Sequence, residues 1–141
     1  MIYVDTSILV TALTIETKTV EMQAWLQDDD RNDGLAISDW TISEFSSALS
    51  IKVRGGLLPT NDHLKALQAF RALTAESFSI LAVERRHFRT AATLCDDYGT
   101  PIKASDALHA AIALEAGASL ATLDRQLAKA FGKIGGRSLL V

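Results

Sequence analysis

The chain has few of the residues that cross-link, kink or anchor a protein: one cysteine and two prolines among 141 residues. The single Cys95 excludes an internal disulfide, and we expect this thiol to be buried in a protein of the reducing cytosol. The paired cysteines and histidines of a zinc site are absent. No apolar run is long enough to span a bilayer, and the N-terminus lacks the basic start and apolar stretch of a signal peptide. These absences predict a cytoplasmic protein with no membrane segment.

An excess of positive charge is also missing, because 14 basic and 17 acidic side chains give a net charge of −3. That balance is not typical of a general nucleic-acid binder. Setting aside the acids discussed below leaves a small positive excess, which is compatible with a polyanion held through a metal ion. The glycine pair Gly55-Gly56 lacks the Lys and Ser/Thr of a phosphate-binding loop.

Apolar content of 48% and a length of 141 residues predict one globular domain over residues 1–141. Short β-branched and aromatic runs predict strands at residues 2–4, 35–37, 78–83 and 120–123, with an edge strand at 138–141. A helix start at residues 5–7, helical periodicity between the strands and a turn at 30–34 complete the pattern; the helices are expected at 16–29, 40–53, 60–73, 84–98, 105–116 and 124–131. This alternation predicts a three-layer α/β/α domain around a parallel sheet of four or five strands.

Four acids occupy the ends of strands or the starts of helices. Asp5 closes the first strand, Asp124 closes the fourth, and Glu44 and Asp106 lie in the first turns of two apolar helices. Ligands of open α/β sheets bind outside the carboxyl ends of the strands, so these carboxylates are expected to converge.

Two carboxylates about 4 Å apart repel by roughly 4 kcal/mol at an effective dielectric of 20, and a divalent cation removes that penalty. All-oxygen ligation suits Mg²⁺ or Mn²⁺, which can activate water against a phosphodiester. On the residues alone, an alternative stays open, in which each acid is a helix cap or a surface charge.

Four segments make a more specific comparison possible: residues 2–7, 43–45, 105–109 and 122–124. In this order the chain resembles the PIN-domain ribonucleases, in particular the VapC-like toxins of bacterial and archaeal toxin–antitoxin pairs. The resemblance implies that Asp5, Glu44, Asp106 and Asp124 bind metal. It also implies a metal-dependent endoribonuclease that acts on RNA, often transfer RNA. The partners it implies are a second copy of the chain and an antitoxin whose tail enters the acidic site.

Smaller polar features allow two interpretations each. Thr6, Ser7 and Thr122 match small hydroxyl residues of the family; they can hold a carboxylate or a metal-bound water, or serve only as caps and strand-end donors. His109 lies one turn after Asp106, and we favour a packed or supporting histidine over a proton carrier. His63 and His87 are interpreted as surface residues.

Charged and aromatic surface candidates are interpreted conservatively. Several cations can contact RNA phosphates, although a solvated charge is the favoured reading for any single one: Arg85, Arg86, Arg89, Lys52, Arg54, Lys103 and Arg125. Trp25 and Trp40 are expected in the core or at a dimer contact. The acidic runs at 28–30 and 96–97 are expected to be solvated.

Three rival functions remain. A phosphoacceptor signalling domain needs adjacent acids on an early strand, but Val4 and Thr6 flank Asp5. A phosphatase of the haloacid-dehalogenase type needs an acid two residues after the first, where this chain has Ser7. A non-catalytic binding module on the same scaffold is the third. Labelling with a small phosphodonor separates the first two from a nuclease, which forms no aspartyl phosphate.

Overall fold

A computed structural model describes residues 1–28 and 33–141. Among these residues, five strands form one parallel sheet in the order β3-β2-β1-β4-β5. The strands are β1 Ile2–Val4, β2 Leu35–Ser38, β3 Phe78–Leu81, β4 Ser119–Thr122 and β5 Ser138–Leu140. The α/β prediction with a central parallel sheet is confirmed, and the edge strand β5 is present.

Seven helices are described, and they connect the strands. They are α1 Thr6–Leu13, α2 Thr19–Leu26, α3 Asp39–Arg54, α4 Thr60–Ser77, α5 Arg85–Asp96, α6 Ala104–Glu115 and α7 Arg125–Lys133. Within the described part of the chain, none of them is long and apolar enough to cross a membrane. Residues 29–32, which carry most of the predicted turn at 30–34 and of the acidic run at 28–30, lie outside the described residues.

The core is divided between the two faces of the sheet, as the alternation of side chains along a strand requires. Ile2 and Val4 of β1 belong to one apolar cluster, together with Phe45 of α3. Tyr3 belongs to the other cluster, in which Leu120 of β4 and the buried side of α6 participate. Residues 107–113 of α6 are all buried, as is typical of a helix that is apolar nearly all round.

Several predicted boundaries were wrong for local reasons. Helix α2 begins at Thr19 rather than at residue 16, because the Thr19 hydroxyl accepts a hydrogen bond from the Glu16 amide and closes a turn before the helix. Strand β3 ends at Leu81, and the capping box of Glu84 starts α5 soon afterwards. Helix α4 continues to Ser77, four residues beyond its predicted end. Gly117, at φ 62°, follows the end of α6.

Two burial predictions were also wrong. Cys95 is exposed, near the C-terminal end of α5. His87 is buried at 4% exposure, since its Nδ1 accepts a hydrogen bond from the Glu84 amide and its Nε2 lies 3.2 Å from the Glu115 carboxylate. Trp25 and Trp40 are both partly buried and pack against the two apolar clusters.

Candidate metal centre

An acidic cavity of about 410 Å³ opens at the carboxyl ends of β1 and β4. Strand β1 has β2 on one side and β4 on the other, so the chain reverses its direction of winding there. Crevices at such reversals are where open α/β sheets bind ligands. All four acids line the cavity: Asp5, Glu44, Asp106 and Asp124.

Asp5 is the most fixed of these acids. Its amide donates to the Ala121 carbonyl at 2.9 Å, which extends the pairing of β1 with β4 by one residue. Its Oδ2 accepts hydrogen bonds from the Ser7 hydroxyl at 2.6 Å and from the Thr122 hydroxyl at 2.8 Å. The side chain is held by two donors at one oxygen, and Oδ1 carries no such hydroxyl.

The hydroxyls of Ser7 and Thr122 are themselves held by backbone amides. Ser7 accepts from the Leu123 amide at 3.2 Å, and Thr122 accepts from the Asp124 amide at 2.9 Å. Each hydroxyl therefore has its proton directed at Asp5. Between the two open interpretations, the geometry favours hydroxyls that orient a carboxylate.

Glu44 lies in the second turn of α3, one turn later than predicted, and its side chain reaches back into the cavity. Its Oε2 accepts from the Thr6 hydroxyl at 2.5 Å and from His109 Nε2 at 2.7 Å. Burial by itself raises the pKa of Glu44, but the hydrogen bond and positive charge of His109, with the Thr6 hydroxyl, lower the pKa of this carboxyl on balance. Glu44 is consequently held in its ionised form.

His109 is fully buried and joins Glu44 to β1. Because an ionised carboxylate can only accept, Nε2 carries the proton toward Glu44. Nδ1 lies 2.8 Å from the Tyr3 hydroxyl, which also contacts Ser38 Oγ at 2.7 Å and Thr41 Oγ1 at 3.2 Å. Burial is the main cause that raises the pKa of Tyr3 to about 12, so the phenol stays neutral. His109 is thus the supporting histidine that the sequence favoured.

Asp106 is the least compensated acid of the cavity. Among the described residues its hydrogen-bond donor is the Ser105 hydroxyl, at 3.4 Å from Oδ1. Burial raises the pKa of Asp106, and the charges of Asp124 and Asp5 raise it further. A partly buried carboxylate with acidic neighbours and few donors is destabilised in its charged form, and a cation relieves that cost.

Asp124 has two roles in one side chain. It is exposed, and its Oδ1 caps α7 by accepting from the amides of Gln126 at 2.7 Å and Leu127 at 3.1 Å. The helix-cap alternative therefore applies to this acid, but it does not replace membership of the cavity, because the same residue lines it.

The donor set fits a hard divalent cation. Among the described residues, Asp5, Glu44 and His109 can each offer a ligand atom within 4.8 Å of one another. The protonated Nε2 of His109 is already directed at Glu44, so we assign His109 to orientation rather than to ligation. The remaining donors are carboxylate oxygens, which are the ligands that Mg²⁺ and Mn²⁺ take in proteins.

Sequence reasoning missed two groups near the cavity. The sequence indicates only that Tyr3 belongs to a strand, whereas its hydroxyl lies within hydrogen-bond distance of His109 Nδ1. Glu16 also lines the cavity and forms an ion pair of 2.6 Å with Lys52. Its carboxylate accepts hydrogen bonds from the hydroxyls of Thr11 and Thr14. A lone tyrosine in an aliphatic three-residue strand was the only available signal for Tyr3.

The candidate cations differ in availability. Arg86 is paired with both Glu84 and Glu115, so its charge is compensated within the protein. Lys52 is paired with Glu16. Arg85, Arg89 and Arg125 are exposed and have no such partner among the described residues. His63 on α4 is half-buried and does not line the cavity.

Comparisons with known proteins give the family of this chain from a family model and its fold from solved structures. The family model described as PIN domain matches residues 2–132. A search of curated protein sequences returned no significant match. Among solved structures, Mycobacterium tuberculosis VapC20, a sarcin-ricin loop cleaving toxin, superposes with a TM-score of 0.72 at 16% identity, over 100% of this chain and 98% of its own.

Two further structures have the same fold. Neisseria gonorrhoeae FitAcB gives a TM-score of 0.68 at 19% identity, over 99% of this chain and 96% of the other. VapBC2 of Rickettsia felis, bound to a DNA fragment from its promoter, gives 0.66 at 18% identity, over 99% and 98%. At these identities the superpositions establish the fold, and the family model covers nearly the whole sequence. The chain therefore belongs to the PIN domain family.

Proposed function

We propose that this protein is a metal-dependent endoribonuclease, the toxin of a toxin–antitoxin pair, with its activity in a single nuclease domain over residues 1–141. The observation that carries the proposal is the acidic cavity, which is lined by four carboxylates from separate parts of the chain. The membership in the PIN family supports it, and so does the fold shared with a toxin that cleaves the sarcin-ricin loop.

The residues that hold the ion are, in this proposal, Asp5, Asp106 and Asp124, with Glu44 completing the site directly or through water. When bound, Mg²⁺ or Mn²⁺ lowers the pKa of a coordinated water and stabilises charge on a phosphoryl oxygen. Ser7 and Thr122 fix one oxygen of Asp5, which leaves its Oδ1 for the ion.

Glu44 orients the attacking water rather than removing its proton. Its lowered pKa makes it a weak base at neutral pH, and general bases work best with a pKa near the operating pH. Thr6 and His109 occupy Oε2, so Oε1 is the oxygen that accepts a hydrogen bond from water or substrate.

We also propose a cytoplasmic homodimer inhibited by an antitoxin. The support is the fold that this chain shares with FitAcB and with VapBC2, together with its membership in the PIN family. The substrate that we propose is a structured RNA, such as a transfer RNA.

Incubation with total cellular RNA in Mg²⁺, Mn²⁺ or a chelator, followed by mapping of new ends, tests the proposal. We expect discrete cleavage that needs the metal and is lost in Asp5→Asn. Asp96→Asn is the matched control, because Asp96 is exposed at the end of α5. Unchanged cleavage by Asp5→Asn in Mn²⁺ removes Asp5 from the mechanism, and transfer of label from a small phosphodonor to the protein contradicts the nuclease assignment.

A further inference from the structure

A second cavity, of about 510 Å³, adjoins the acidic cavity. The two share Thr11 and Glu16 in their linings, so they form one continuous depression in the surface. Both volumes fall in the range of about 300–1,000 Å³ that is typical of ligand sites. This second cavity differs from the first in charge, because its lining includes Lys18 and Arg125. We call it the basic cavity.

The boundary between the two cavities is electrically neutral. Glu16 and Lys52 form an ion pair of 2.6 Å with side chains only 32% and 25% exposed, and Thr11 and Thr14 donate to the same carboxylate. The ion pair and its hydrogen bonds lower the pKa of Glu16, with the Lys52 hydrogen bond as the largest cause. Because Lys52 and Glu16 neutralise each other, Lys52 adds no net positive charge to the acidic cavity. For the same reason Glu16 adds no net negative charge to the basic cavity.

The cations of the basic cavity remain available for an anion. Among residues 1–28 and 33–141, no acceptor pairs with the Arg125 guanidinium, which is exposed at the first position of α7. Lys18 lies 3.9 Å from Glu21 and donates to the Val141 carbonyl at 3.3 Å, both weak partners for an ammonium that is 48% exposed. Arg125 and the weakly paired Lys18 therefore line a cavity that is continuous with the acidic cavity.

We propose that the basic cavity binds the phosphate backbone of the RNA strand on one side of the cleaved bond, with Arg125 and Lys18 as phosphate contacts. This inference rests on the proposed nuclease function. Phosphate contacts by arginine and lysine fix the register of a nucleic acid without reading its sequence. Asp124 and Arg125 are adjacent in the chain, so α7 places a metal-site carboxylate and a phosphate-binding cation side by side.

The test compares Lys18→Gln/Arg125→Gln with the unmodified protein on single-stranded RNA. In Ca²⁺, as a non-catalytic substitute ion, the slope of log affinity against log salt is expected to fall by about 1.4, at roughly 0.7 per phosphate contact in single strands. In Mg²⁺ we expect KM to rise at least tenfold for a long substrate while kcat stays within about threefold, because these cations act on binding. The control, Arg71→Gln/Arg137→Gln, removes two exposed arginines, one on α4 and one just before β5, that line neither cavity.

The outcomes separate the inference from the function on which it rests. Absence of RNA cleavage by the unmodified protein overturns the proposed function and the inference with it. Cleavage combined with an unchanged salt slope and KM in Lys18→Gln/Arg125→Gln overturns the inference alone. Weaker binding of a poly-glutamate peptide with unchanged RNA binding also overturns it, because the basic cavity then serves an acidic polypeptide. An equal loss in the control variant shows a general charge effect and has the same consequence.

Discussion

The two halves of the acidic cavity compensate their negative charge in different ways. On one side, Asp5 and Glu44 are held by four side-chain donors: Ser7, Thr122, Thr6 and His109. On the other, Asp106 has one long hydrogen bond, and its pKa is raised by burial and by acidic neighbours. The first half is prepared by the protein alone, whereas the second half gains most from a bound cation.

This difference distinguishes carboxylates whose orientation is fixed by the protein from a carboxylate that contributes mainly to the affinity for a metal ion. Donors that fix a carboxylate make its geometry reproducible but also reduce the negative charge that attracts an ion. A carboxylate that lacks such donors keeps its charge for the ion and destabilises the metal-free protein. We therefore expect substitutions in the two halves to have opposite effects on stability, and the following predictions test that expectation from the largest effect to the smallest.

Asp106→Asn is expected to have the largest effect on activity and an opposite effect on stability. Loss of this carboxylate lowers RNA cleavage by about 10²–10³-fold, the usual size for removal of one electrostatic group of an active site. In metal-free buffer at pH 7 the same variant unfolds about 2–4 °C higher, as expected for relief of about 1 kcal/mol of repulsion, discounted for the half-exposed position. Cleavage assays and calorimetry measure both effects.

A matched control for that variant is Asp96→Asn, which removes an exposed acid that does not line the cavity and is expected to change neither quantity. A lower melting temperature for Asp106→Asn contradicts the assignment of Asp106 to the uncompensated half.

His109→Ala tests the prepared half of the cavity. Without the ring, Glu44 loses one of its two donors, and the carboxylate is free to leave its position. Supporting groups of this kind typically contribute about 10–100-fold in metal affinity or activity. Titration with Mn²⁺, followed by cleavage at saturating metal, distinguishes the two quantities. His63→Ala on α4 is the matched control, and an equal loss in that variant assigns the effect to the fold.

The convergence of the acids could be predicted because it depends on topology and little else. Asp5 follows a strand, Asp124 follows another, and parallel strands present their carboxyl ends on one edge of a sheet. A residue that ends a parallel strand can therefore be placed at this edge of the sheet without any knowledge of side-chain packing. Glu44 was expected in the first turn of its helix; it lies in the second turn of α3, and its side chain still reaches the cavity.

The hydrogen-bond partners of the acids could not be predicted in the same way. Tyr3 and His109 are 106 positions apart, and their contact requires α6 to pack over β1 at one particular height. His87 and Cys95 lie about two turns apart on α5, yet His87 is buried and Cys95 is exposed, a difference that residue type does not predict. Periodicity locates a helix, but the rotation of polar side chains at the border of its apolar stripe is decided by tertiary packing.

Tyr3→Phe measures how much the Tyr3 hydroxyl, which lies beside His109, contributes to the stability of the protein. The phenol contacts Ser38, Thr41 and His109 in a buried position, and its removal leaves these groups short of one partner. We expect a loss of about 1–3 kcal/mol in the free energy of unfolding, measured by urea titration. Tyr98→Phe is the matched control, since Tyr98 is fully exposed. Equal midpoints for the two variants contradict a role for the buried network.

The pH dependence of stability gives the smallest effect and the most direct contrast between the two halves. The pKa of Glu44 is lowered on folding, so its ionised form stabilises the protein above the unfolded pKa, and this contribution is lost as pH falls through the folded pKa. The pKa of Asp106 is raised, so its penalty is present at neutral pH and is relieved as pH falls through that raised value. Metal-free Glu44→Gln is therefore less stable than the unmodified protein at pH 7, and Asp106→Asn is more stable.

Both differences in the free energy of unfolding, each up to about 1 kcal/mol after solvent screening, shrink toward zero in acid. Urea titrations at neutral and acid pH measure them, and differences of the same sign at pH 7 contradict the division of the cavity into a prepared half and a metal-dependent half.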